Sequence, residues 1–99
     1  MFGTIGHVRI KSGSRAAMDA LNDEWLRDIR PQVPGPVMQV LGNVAGQPDH
    51  LVFVALMQDE QTYRDLAANP AQDAWFRKMM EHAEGDVTWE DIEAEVQTA

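Results

Sequence analysis

One short segment constrains the fold of this chain more than any other, because both of its faces are apolar. An extended chain points alternate side chains to opposite faces, and residues 51–57 carry apolar side chains in both phases: Leu51, Phe53, Ala55 and Met57 in one, and Val52, Val54 and Leu56 in the other. Residues 37–45 nearly repeat this pattern. Strands of this kind need a layer of protein on each face of their sheet.

The first half of the chain predicts a strand, a helix and a hairpin. Phe2 to Ile10 alternates between two faces, which is typical of a strand. A helical apolar stripe follows between Ser14 and Arg30 and ends before a loop rich in proline; it consists of Ala17, Met18, Leu21, Trp25, Leu26 and Ile29. The strands Val37 to Ala45 and Leu51 to Met57 then flank residues 46–50, which have the composition of a hairpin loop.

The second half predicts two helical segments and a last strand. Asp59 is a suitable cap for the first helix. Asn69-Pro70 predicts a break, because Asn caps helices and Pro is tolerated at a first helical position. The second helix is expected from about Pro70 to His82. Glu84-Gly85-Asp86 is expected to form a turn, and a fourth strand is expected within Val87 to Val96.

The order β-α-β-β-α-β predicts a ferredoxin-like α+β fold with a four-stranded antiparallel sheet and both helices on one face. A length of 99 residues suits one domain of this kind, spanning residues 1–99. The second face of the sheet is apolar, yet no segment of the chain remains to cover it. We therefore expect a homodimer, in which a second copy covers that face.

Charge and composition exclude several kinds of partner and site. Sixteen acidic residues against eight basic ones give a formal charge of −8, which disfavours binding to nucleic acid or membrane surfaces. The chain has no cysteine, so disulfides, thiolate metal ligands and a cysteine nucleophile are excluded. The three histidines form no metal-binding motif. Met1 to Thr4 does not open a signal peptide, and we expect a cytoplasmic protein.

Several short sequences resemble the antibiotic biosynthesis monooxygenase (ABM) family of dimeric α+β barrels. They are Val8-Arg9-Ile10-Lys11-Ser12-Gly13, Pro34-Gly35-Pro36, Asp59-Glu60-Gln61-Thr62-Tyr63, Asn69-Pro70 with Trp75-Phe76, and Asp86-Val87-Thr88-Trp89. The resemblance covers nearly the whole chain. It implies a homodimer whose two sheets form a barrel, with a cavity between the helices and the sheet of each subunit.

The resemblance also implies an activity. Better-understood members oxidise aromatic substrates with O₂, so it implies a cofactor-independent monooxygenase for a small polyketide-like or quinol-like aromatic, with no metal or flavin. The alternative is a non-catalytic dimeric module that binds a small ligand or a protein partner. Haem-degrading members combine a first-strand Asn with a Trp and a His ten residues apart. Here no Asn lies between Phe2 and Ile10, and Gly85 stands ten residues after Trp75, so no haem is expected.

Two histidines are candidates for a catalytic proton acceptor, since the pKa of an imidazole lies near neutrality: His7 in the first strand and His82 at the end of the last helix. Trp75 and His82 are close to two helical turns apart and would share a helix face. Candidate substrate-binding residues are Asn43, Tyr63, Trp75, Phe76 and Met79. The alternative for each is a structural role, as an inert histidine, a surface polar group or a core side chain.

Overall fold

Four strands form one antiparallel sheet in the computed structural model, which describes all of residues 1–99. The strands are β1 (Phe2–Ile10), β2 (Val37–Asn43), β3 (His50–Met57) and β4 (Ala83–Glu93), in the spatial order β2-β3-β1-β4. The helices α1 (Arg15–Glu24), α2 (Glu60–Ala67) and α3 (Pro70–Met80) pack on one face of the sheet. The predicted ferredoxin-like α+β fold is confirmed. None of the helices has the length and apolar character needed to cross a membrane.

The first helical segment is less regular than its apolar stripe predicts. After α1 the chain continues through a wide π-helical turn, Trp25–Ile29, and one 3-10 turn, Arg30–Gln32. Trp25 and Ile29 are buried in the π turn, where they pack into the same core cluster as Val33. The sequence predicts the extent of this segment but not its change of pitch. Two apolar residues that are four positions apart, such as Trp25 and Ile29, fit an α-helical turn and a π-helical turn equally well.

The helix break at Asn69-Pro70 is confirmed. α2 ends at Ala67 and α3 begins at Pro70. Asn69 caps α3, because its Oδ1 accepts a hydrogen bond from the backbone N–H of Ala71 at 2.9 Å. Pro70 fits at the next position, since the first turn of a helix leaves its N–H groups without partners inside the helix.

The last strand begins four residues earlier than expected, and the turn expected at Glu84-Gly85-Asp86 is a bulge within it. In the register of β1 with β4, Ala83 pairs with Ile10 and Val87 pairs with Val8. Three residues of β4 therefore lie opposite a single residue of β1. Gly85 accommodates the excess with a φ of 85°, in the left-handed region. The prediction of a turn was wrong because the same residue types suit both structures.

The strand register gives the sheet two different faces. Even-numbered residues of β1 lie on the helix side together with odd-numbered residues of β2, β3 and β4. The opposite face, called the outer face below, has no helix against it. Val40 on this face is 50% exposed within the single chain. The apolar part of the outer face consists of Ile5, Met38, Val40, Val52, Val54, Leu56 and Ile92.

Candidate functional site

A cavity of about 400 Å³ lies between the helix side of the sheet and the helical layer. All four strands contribute to its floor, and α1, the π turn, α2 and α3 contribute to its walls. Most of the lining side chains are apolar. Volumes of this size and mainly apolar linings are typical of small-molecule sites, so this cavity is the candidate binding site.

Three aromatic side chains, Phe53, Phe76 and Trp89, form an aromatic cluster in the cavity wall. The ring centroid of Trp89 lies 5.1 Å from that of Phe53 and 5.6 Å from that of Phe76. Gly6 pairs with both Phe53 and Trp89, and a Cβ atom at Gly6 would come within 2.8 Å of both rings. Trp89 is 40% exposed, so the cluster presents ring surface on which a flat ligand can stack.

The other two tryptophans are held by hydrogen bonds within the protein. Trp25 Nε1 donates to Gln72 Oε1 at 2.7 Å, and Trp75 Nε1 donates to the Leu21 carbonyl at 2.7 Å. Neither indole N–H is therefore free for a ligand. Because an indole nitrogen only donates, the first bond also sets the orientation of the Gln72 amide. The Nε2 group of Gln72 keeps its two N–H donors on the other side.

Tyr63 lines the cavity from α2 and is tied to β4. Its hydroxyl donates to Asp91 Oδ1 at 2.8 Å, and Arg64 Nη1 lies 3.4 Å from Asp91 Oδ2. Burial raises the pKa of the Tyr63 hydroxyl, and the hydrogen bond to Asp91 raises it further. Tyr63 is therefore neutral at physiological pH with its proton directed to Asp91, and its oxygen remains an acceptor toward a ligand.

The charged side chains of the cavity wall are paired with one another or with a neighbour. Arg15 Nε lies 3.1 Å from Asp19 Oδ1, and Arg77 Nη2 lies 3.0 Å from Asp73 Oδ2. The wall contains no lysine or histidine. A neutral ligand suits such a lining, because the polar groups left to contact it are mostly carboxamides, those of Asn22, Gln39 and Gln72.

The structure brings four of the five candidate binding residues together. Tyr63, Trp75, Phe76 and Met79 line the cavity. Asn43 lies at the end of β2, outside the cavity lining, where its Nδ2 donates to the Val44 carbonyl at 3.0 Å. The cavity lining therefore contains the residues expected near Trp75 but not Asn43, the candidate on the second strand.

Neither candidate catalytic histidine lines the cavity. His7 lies on the outer face, with its Nδ1 3.0 Å from Nε2 of His50. α3 ends at Met80, so His82 is not part of the helix face that carries Trp75. A catalytic role for either imidazole stays a prediction, and this cavity does not supply support for it.

Sequence reasoning assigned no site role to Trp25, Gln72 or Trp89, three residues of the lining. Trp25 fits the apolar stripe of the first helix, where a core role is the ordinary interpretation. Trp89 follows a segment whose composition predicts a turn, so the sequence does not indicate which face of the sheet carries its side chain. The register that sets Gly6 opposite Trp89 is the signal that was missing, since a glycine leaves room for an aromatic ring on the neighbouring strand.

The fold is similar to that of solved antibiotic biosynthesis monooxygenases. The crystal structure of one such protein superposes with a TM-score of 0.76 at 21% identity, covering 97% of this chain and 100% of that chain. A variant of SnoaB, a cofactor-independent oxygenase from Streptomyces nogalater, superposes with a TM-score of 0.80 at 12% identity, covering 97% and 94%. A conserved protein from Methanosarcina mazei Go1 gives 0.80 at 10% identity, covering 95% and 92%.

At these identities the likeness concerns the fold. No protein-family model and no curated protein matches the sequence. The chain is an α+β domain with the fold of these solved structures and with an aromatic-walled cavity between its helices and its sheet.

Proposed function

We propose that this chain is a cofactor-independent monooxygenase that acts on a small, neutral aromatic substrate within the cavity. The observation that supports the proposal most directly is the cavity itself, which combines an aromatic cluster with carboxamides and paired charges. The similarity in fold to SnoaB, described as a cofactor-independent oxygenase, supports the reaction class. The aromatic cluster supports a flat substrate, polyketide-like or quinol-like.

The reaction requires no covalent bond between the protein and the substrate. In its simplest form a ring CH₂ group and O₂ give a ring carbonyl and water, so the substrate supplies the electrons and O₂ supplies both oxygen atoms. The two hydrogen atoms of the CH₂ group leave in the water that is formed, and the apolar lining partly shields the reacting ring from solvent. The N–H donors of Gln72, oriented by Trp25, would stabilise negative charge that develops on a ring oxygen.

Filling the cavity tests this proposal. Ala55 lies on the helix side of β3 and lines the cavity, so Ala55→Leu introduces a larger side chain into the space for the ligand. We expect the affinity for 1-naphthol, followed by tryptophan fluorescence, to fall at least about tenfold, which corresponds to about 1.4 kcal/mol. Oxygen uptake in the presence of anthrone should fall in parallel. Ala45→Leu is the matched control, because Ala45 is exposed and lies outside the cavity.

The outcomes separate the two candidate functions. Oxygen uptake above the protein-free rate that is lost in Ala55→Leu and kept in Ala45→Leu supports the monooxygenase. Saturable naphthol binding without oxygen uptake favours a non-catalytic dimeric module that binds a small ligand. If the wild-type protein binds no aromatic probe, the cavity is not a ligand site and the proposed function fails.

We further propose that the chain forms a homodimer through its outer face. The support is the apolar surface that the single chain leaves uncovered, and the fold is that of proteins commonly found as dimers. Four strands of about eight residues give a face of about 500 Å² in projection. This is of the order needed for a standard interface of about 800 Å² of accessible surface per partner. A molar mass of 11.1 kDa by light scattering at micromolar concentration would contradict the proposal.

A further inference from the structure

The outer face contains one polar site, a pocket lined by His7, Arg9, His50, Asp86 and Thr88. The pocket and the aromatic cavity share no lining residue, and the sheet separates them. Its lining contains no apolar side chain, in contrast to the rest of the face. The proposed reaction makes no use of this pocket.

Two histidines at this site are in direct contact. His7 Nδ1 lies 3.0 Å from His50 Nε2, and the ring centroids are 5.2 Å apart. The contact follows from the register, because Arg9 pairs with His50 and places His7 diagonally across from it. One nitrogen must donate and the other must accept. The bond therefore exists while either ring is neutral and is lost when both are protonated.

The surroundings hold His50 in its neutral form. Burial lowers the pKa of His50, and the positive charge of Arg9, together with that of His7 when it is protonated, lowers it further. The Nδ1 atom of His50 is buried and has no hydrogen-bond partner. If Nε2 donates to His7, a second proton on His50 produces a buried N–H without an acceptor; if Nε2 accepts, the second proton breaks the bond to His7.

The other charged groups near the pair come from β1 and β4. Arg9 lies beside the pair on β1, and Asp86 and Glu90 are the acidic residues on the β4 side. Thr88 is neutral, and β2 contains no titratable residue. The lowered pKa of His50 results from burial, Arg9 and His7. Protonation of the pair adds positive charge beside Arg9, and Asp86 is the one acidic residue in the pocket lining.

We propose that the His7–His50 pair makes the association of two copies of the chain pH-dependent, with the dimer favoured while the pair is neutral. This inference rests on the homodimer proposed above. Association through the outer face removes water from the pair, and a charged imidazole loses more hydration than a neutral one. The separated copies then bind protons more readily than the dimer, so acid shifts the equilibrium toward them. The stabilisation is present above the pKa of the pair in the separated copies, which for His50 already lies below the ordinary value of 6.5, and it is lost as the pH falls through the still lower pKa in the dimer.

The test is the dimer dissociation constant, measured by sedimentation equilibrium between about pH 8 and about pH 5, the range in which histidine titrates. We expect the wild-type dimer to weaken at least about tenfold at the acidic end, as one unit of pKa shift requires. The double variant His7→Gln, His50→Gln cannot be charged at this site, and its dissociation constant should stay within about twofold over the same range. His82→Gln is the matched control, because His82 lies between α3 and β4, outside the lining of this pocket, and should leave the wild-type pH dependence intact.

Each outcome has a definite meaning. A wild-type dimer with a constant dissociation constant overturns the inference but leaves the homodimer in place. A monomer at every pH overturns both. A pH dependence that persists in the double variant belongs to other groups and also overturns the inference. Circular dichroism at each pH distinguishes dissociation from unfolding, and a loss of dimer that occurs only with loss of secondary structure counts against the inference.

Discussion

At the scale of single residues, two hydrogen bonds within the protein determine which polar groups of the cavity are free to contact a ligand. The indole N–H of Trp25 orients the Gln72 amide, and the carboxylate of Asp91 accepts a hydrogen bond from the Tyr63 hydroxyl. The cavity consequently presents amide donors at one point and a phenolic acceptor at another. A ligand with a hydroxyl group near one end and a carbonyl near the other would satisfy both.

A double-mutant cycle on Trp25 and Gln72 measures this arrangement. Trp25→Phe removes the indole donor and Gln72→Leu removes its acceptor. We expect a coupling of about 1 kcal/mol in the free energy of unfolding, the value of an ordinary buried hydrogen bond. Trp25→Phe alone should also weaken naphthol binding, because the Gln72 amide can then rotate. Additive effects of the two changes on urea unfolding would show that the bond has no energetic role.

Glycines on the outer side of the sheet differ sharply in what they tolerate. A Cβ atom at Gly3 would collide with the backbone carbonyl oxygen of Ala55, whereas one at Gly42 meets open space. Backbone atoms cannot move aside as a flexible side chain does. We expect Gly3→Ala to lower the free energy of unfolding by about 3 kcal/mol or more, at the upper end of overpacking effects. Gly42→Ala should change it by less than about 0.5 kcal/mol, as measured by urea denaturation.

At the scale of elements, periodicity predicts which segments are strands or helices but not how they meet. The alternation of β1 places His7 opposite in phase to Phe2 and Val8, as the structure confirms. It does not tell which of the two faces meets the helices, because both faces of the central strands are apolar. The sequence therefore leaves His7 open between a catalytic role and a structural one, and the register places it on the outer face. The bulge at Gly85 was missed for a related reason, since only the pairing with β1 distinguishes it from a turn.

The start of α2 makes a prediction about acid stability. Asp59 Oδ1 accepts a hydrogen bond from the Thr62 backbone N–H at 2.8 Å, and this bond holds the pKa of the Asp59 carboxyl below its ordinary value of 3.8. The ionised cap stabilises the folded state above that pH, and the stabilisation is lost as the pH falls through the lower pKa of the folded state. Asp59→Asn keeps a cap but cannot titrate.

The urea midpoints of the wild-type protein and of Asp59→Asn should therefore converge between about pH 6 and about pH 3, with the wild type losing more. Asp65→Asn serves as the control on the same helix, because Asp65 accepts only a side-chain bond from Gln61 and caps nothing. If Asp65→Asn changes the acid dependence as much as Asp59→Asn does, the cap is not its source.

At the scale of the whole molecule, the uncovered outer face predicts the effect of a single added charge. Val40→Lys places an ammonium group in the apolar face that a second copy would cover. We expect this variant to be a folded monomer by light scattering, since a buried, unpaired charge is costly. Val96→Lys is the matched control, because Val96 is 43% exposed but lies beyond the last strand. If light scattering still shows a dimer for Val40→Lys, the interface does not lie on the outer face.

The strand order has a consequence for the chain during its synthesis. β1 leaves the ribosome first, yet it is held between β3 and β4, and Phe2 finds its partner Glu93 only at the far end of the sequence. At translation rates of about 5–20 residues per second, several seconds pass between the synthesis of β1 and that of β4, and one edge of β1 stays unpaired during this time. Unpaired apolar edges are the usual starting points of aggregation. The yield of soluble protein should therefore respond to the speed of translation and to chaperones that shield the nascent amino-terminal strand.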